Sequence, residues 1–120
     1  MEDNRAEQKE ALETLVNFNT RLIKNMKLVT KELSGSRLDD TNAFLEDIIK
    51  AMNWEIQVMN GTMELLSESE QCINKEIFNS KIIAFNEAVN SKNDTKIANA
   101  FEDVIPLFEQ LGENANEVIR

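Results

Sequence analysis

Leu12, Leu15, Asn19, Leu22, Met26, Val29 and Leu33 recur along the chain at alternating intervals of three and four residues. That spacing brings a side chain back to one side of an α-helix every turn and matches the seam of a coiled-coil pair. A β-strand, with its period of two, would scatter the same residues over both faces. Val16 and Ile23 widen the stripe, so the helix can pack against more than one neighbour. The pattern predicts a helix from about Asp3 to Leu33, closed by Ser34-Gly35-Ser36, where glycine takes the left-handed conformation that ends a helix.

The rest of the chain repeats the theme. A second helix is expected over about 40–66, with Asp39 or Asp40 as N-cap and a seam of Leu45, Ile49, Met52, Ile56, Met59, Met63 and Leu66. Phe44, Asp47, Ala51, Trp54, Val58, Gly61 and Leu65 form a second row on another face. Asn60-Gly61 is a turn signal, but the seam keeps its phase across it, so a continuous helix is expected. A third helix is expected over about 70–89, on Phe78, Ile82, Phe85 and Val89. Ser67 and Glu70 have capping-box spacing before it, and Asn74 is a second candidate cap. A fourth is expected over about 94–111, on Ile97, Phe101, Val104, Phe108 and Leu111. Asn93 or Asp94 caps it, Pro106 bends it and Gly112 stops it, leaving 113–120 as a frayed or weakly helical tail. With one Pro, three Gly and no Tyr there is little material for turns or sheet. The expected fold is a single all-α domain over residues 1–120: an antiparallel up-down bundle of two long and two shorter helices.

Charge and composition then narrow the function. A net charge of −9 opposes both nucleic acid and an anionic membrane surface. No apolar run approaches the roughly 20 residues of a membrane span, and the N-terminus lacks a signal-like segment. Cys72 is the only cysteine, which suits a reducing, cytoplasmic compartment. It follows Glu68, Glu70 and Gln71, with no base to activate it. Histidine is absent, which removes Ser-His-Asp and Cys-His catalysis and His-containing metal sites. The chain is therefore expected to be non-enzymatic, with no cofactor.

Several groups carry a functional reading beside a structural one. Asn19, in the seam, is either a polar contact or a buried amide that sets helix register. Arg21, Lys24, Lys27 and Lys31 form a basic strip that could meet an acidic partner or simply stay solvated. Met52, Met59 and Met63 suit either an adaptable groove or ordinary core. Glu102, Asp103 and Glu109 lie near Pro106, but neighbours on a helix diverge by about 100°, so Glu102 and Asp103 make no acid–base pair. The strongest lead is the row of Phe44, Trp54, Val58 and Leu65. If the shorter helices leave part of it uncovered, that part is expected to be a partner-binding face.

The segment Asn93–Leu111, NDTKIANAFEDVIPLFEQL, resembles the C-terminal helix of small uncharacterised all-helical proteins of Gram-positive bacteria. Asn93-Asp94, Ile97-Ala98, Glu102-Asp103 and Ile105-Pro106-Leu107 carry the likeness, and Asn53-Trp54 fits it. The resemblance implies a cytoplasmic bundle and no particular chemistry. Taken together, the expectation is a protein acting through protein–protein contact, by self-association such as a homodimer or as an adaptor. Two alternatives stand beside it. One is a small acidic chaperone of the secretion or flagellar-export kind that holds a partner's amphipathic helix. The other is a bundle that binds a hydrophobic ligand, or a metal through carboxylates alone.

Overall fold

The structure, a computed structural model, describes residues 4–120, so the helix start expected at Asp3 lies outside it. Among the described residues there are five helices and no strand: α1 (Arg5–Leu33), α2 (Thr41–Gly61), α3 (Met63–Leu66), α4 (Lys75–Asn90) and α5 (Asp94–Ile119). They form an all-α helical bundle measuring 51 × 24 × 22 Å.

Every residue of the α1 seam, from Leu12 to Leu33 and including Asn19, is buried. α1 packs along both α2 and α5, while α4 packs along α5. The contacts give the directions. Thr41 meets Glu32 at one end of α2 and Leu65 meets Gln8 near the other, so α2 runs antiparallel to α1. Arg37 pairs with Asp94 while Asn19 meets Phe108, so α5 also opposes α1. Phe78 meets Phe108 at a tilt and Phe85 meets Phe101 edge-on, at centroid distances of 5.3 and 4.8 Å, so α4 opposes α5. No helix among the described residues is long and apolar enough to cross a membrane.

Three expected boundaries are corrected. The second helix is not continuous: it breaks at Thr62, just after Asn60-Gly61. Thr62 has φ −125° and ψ 15°, and its buried hydroxyl donates to the Val58 carbonyl at 2.7 Å. This local side-chain bond competes with the helix ladder. The next long helix starts at Lys75, not near residue 70, because Asn74 accepts from the Ile77 N–H at 3.0 Å and is the operative cap. Gly112 does not stop the last helix, which continues to Ile119. The two longest helices are therefore α1 and α5, of 29 and 26 residues, and not the first two.

The segment expected to fray carries part of the core. Asn114 is buried, donates to the Leu66 carbonyl at 3.1 Å and accepts from the Ile73 N–H at 3.0 Å. These bonds fasten both ends of the 67–74 connector to α5.

Candidate functional site

The residues buried along α2 are Thr41, Leu45, Ile48, Met52, Glu55 and Met59. This line runs between the two apolar rows read from the sequence. Ile49 and Ile56 flank it on one side, Phe44, Ala51 and Val58 on the other, and all five are half-buried. At its centre is a carboxylate that the sequence reading passed over. Glu55 has no exposed surface. Its Oε1 accepts from Asn19 Nδ2 at 2.9 Å, and its Oε2 has no partner among the described residues. Asn19 Nδ2 also donates to the Phe108 carbonyl at 3.1 Å, so one amide ties α1 to both α2 and α5. Burial pushes the Glu55 carboxyl up to about 7, and the Asn19 bond only partly opposes it.

Gly112 makes this junction sterically feasible. A Cβ there would lie 2.3 Å from Asn19 Oδ1 and 2.9 Å from its Cγ, so α5 approaches α1 through the missing side chain. Above Asn19 the two helices leave a cleft of about 610 Å³ lined by Thr20, Lys24, Lys27, Glu109 and Asn116 among others. Lys27 bridges it to Glu109 at 3.7 Å, so part of the basic strip faces acidic α5.

The Trp54 row divides. Leu65 is core at 2 % exposure, Phe44 and Val58 are half-buried, and Trp54 is 37 % exposed. Trp54 stands edge-on to Phe18 of α1, with centroids 5.9 Å apart. Beside the pair, Thr14, Phe18, Lys50, Ala51 and Trp54 line an open, largely apolar groove of about 400 Å³. Phe18, just off the α1 seam, is the member that sequence reasoning missed. Ile77 and Ile83 of α4 are more exposed still, at 54 and 60 %. They sit six residues apart, roughly 120° around the helix, and make no common face.

The remaining candidates are structural in placement. Met52 and Met59 are buried and Met63 half-buried against the core. Glu102, Asp103 and Glu109 are exposed, and among the described residues no three Cys, Asp or Glu side chains converge as a metal site. Cys72 is a half-buried free thiol.

One family model matches residues 10–114, described as Domain of unknown function (DUF8042). The match takes in α1 from its second turn, all of α2 to α4, and α5 as far as Asn114. No curated protein and no solved structure matches the chain.

Proposed function

The chain belongs to the DUF8042 family, and we propose that it is a non-enzymatic bundle that works by self-association, with a second copy of the chain seated on the Trp54–Phe18 face. The observation that carries this reading is Trp54 itself, a tryptophan more than a third exposed beside an apolar groove. Such side chains dominate the energetics of protein contacts, and seating one is worth about 2–3 kcal/mol.

A second copy suits the face because the face complements itself. It carries a part-exposed ring on an open apolar groove, so the same patch of two copies can meet across a two-fold axis. Asp47, in register with Ala51 and Trp54, and Lys50, on the groove, are exposed charges of opposite sign, and neither makes an ion pair among the described residues. On this reading the protein works in a reducing cytoplasm, as the lone Cys72 suggests, and its relatives are Gram-positive, as the likeness of Asn93–Leu111 suggests.

Sedimentation across a wide concentration range tests the proposal, with Trp54 emission as a label-free reporter. Dimer at high concentration, red-shifted emission on dilution, and a folded but monomeric Trp54→Ala variant are expected. A wild-type monomer at every concentration overturns the second copy as occupant, and so does a dimer that Trp54→Ala leaves intact.

A further inference from the structure

Glu55 has a consequence that is independent of the Trp54 face. We propose that Glu55, enclosed between α1, α2 and α5, is a proton-binding site that couples the seating of α2 to pH.

The geometry starts from what an ionised carboxylate needs. Its two oxygens offer about four acceptor positions. Here Oε1 receives one bond and Oε2 none, with the residue fully buried. The one donor is already shared, because Asn19 Nδ2 also serves the Phe108 carbonyl. That carbonyl presents a further negative dipole end to the junction. A neutral acid is far less costly in such a place than an anion.

Among the described residues no neighbouring charge offsets this. From α1 the group that faces Glu55 is the neutral Asn19, with Lys24 and Lys27 in the outer cleft, where Lys27 pairs with Glu109. From α5 it is a backbone carbonyl, with Glu109 and Glu113 at the cleft rim. The neighbours of Glu55 along the buried line of α2 are Met52 and Met59. The buried side chains of α4 are Phe78 and Phe85, and its Lys75, Glu76, Lys81 and Glu87 are exposed, as is Glu64 of α3. Burial therefore dominates and holds the carboxyl near 7, against an ordinary 4.5.

The sign follows. An acid whose pKa is raised by folding binds its proton more tightly in the folded state. Its contribution to stability is complete below about 4.5, declines as pH rises, and is lost above about 7. Over that range the folded-to-unfolded ratio falls by about two orders of magnitude from this group alone. Above neutrality the anion draws water or pulls α2 from its seat. The α1–α5 cleft has Asn19, the hydrogen-bond partner of Glu55, among its lining residues.

The window is unusually clean, because the chain has no histidine, the residue that ordinarily titrates there. The test is proton release on unfolding near pH 6, in weakly buffered denaturant, with infrared detection of the protonated carboxyl in the native state. Wild type should release about one proton more than Glu55→Gln, and its carboxylic-acid band should vanish by pH 8.5. If Glu55→Gln does not fold, the wild-type band and proton count still decide. A native protein with no such band at pH 6 overturns the proposal, as does equal proton release from a folded Glu55→Gln variant.

Discussion

Gly112→Ala should destabilise the protein, although glycine-to-alanine changes inside helices ordinarily stabilise by about 1 kcal/mol. The added methyl would sit 2.3 Å from Asn19 Oδ1, well inside any real contact. Asn19 is not free to yield, because its amide nitrogen donates to Glu55 at 2.9 Å and to the Phe108 carbonyl at 3.1 Å. If the helices separate instead, overpacking of this kind costs about 1–3 kcal/mol. If Asn19 swings away, two buried hydrogen bonds are lost at about 0.5–1.5 kcal/mol each. Either route at least offsets the propensity gain and leaves a net loss of up to about 2 kcal/mol. In an Asn19→Ala background the obstruction is gone and the ordinary gain of about 1 kcal/mol should return. A double-mutant cycle from urea denaturation, followed by far-UV circular dichroism, should thus show a coupling of about 1–3 kcal/mol. Equal stabilisation by Gly112→Ala in both backgrounds would refute the notch.

Gly61→Ala is the matched control: nothing lies within 4 Å of a Cβ there, so thermal unfolding should show no loss and up to about 1 kcal/mol of gain. At pH 8, Glu55→Gln should be more stable than wild type by up to about 3 kcal/mol, with the difference vanishing near pH 4.5, as denaturation at the two pH values would show. Asn74→Ala and Asn93→Ala each remove a side-chain cap, accepting from Ile77 N–H and Lys96 N–H at 3.0 Å, and should each cost about 0.5–2 kcal/mol in chemical denaturation. Asp40 makes no such bond, so Asp40→Ala should lose less. The Arg37 guanidinium holds Asp94 below the usual aspartate range, so this pair contributes stability above pH about 4 that is lost as pH falls through the lowered value. Asp94→Asn should lower the thermal midpoint slightly at pH 6, with the difference shrinking as the pH is taken below about 4.

Much of the fold could be read from spacing, because spacing is what burial selects. The α1 seam is legible because its apolar residues keep a strict three-four spacing from Leu12 to Leu33, with Val16, Phe18 and Ile23 beside it. α2 misleads because half-buried apolar rows flank its true buried line, which itself includes Thr41 and Glu55. Apolar pattern alone therefore splits one contact face into two. Glu55 could have been found by asking which polar residue completes the series Leu45, Ile48, Met52 and Met59. Gly112 shows the opposite limit. As a local signal it reads as a helix stop, and only the proximity of Asn19, 93 positions away in the chain, reveals why α5 carries it. Trp54 was legible as a residue on a second face; its edge contact with Phe18 depends on how closely α2 lies against α1.

The pairing of α1 with α5 also bears on how the chain reaches its native state. α1 with α2, and α4 with α5, are helical hairpins between sequence neighbours, which close quickly. The α1–α5 seam joins segments separated by all the rest of the bundle and carries the larger loop-closure entropy. Docking of the two hairpins carries the larger closure cost, and it is the event that brings Phe108 of α5 onto the Asn19–Glu55 contact. Until docking, that carboxylate has only its Asn19 partner from within the α1–α2 hairpin and lies open to water on the side that α5 covers. Acidity should accordingly act on the late encounter of the halves, and on the rate at which they part, while leaving the early formation of each hairpin alone.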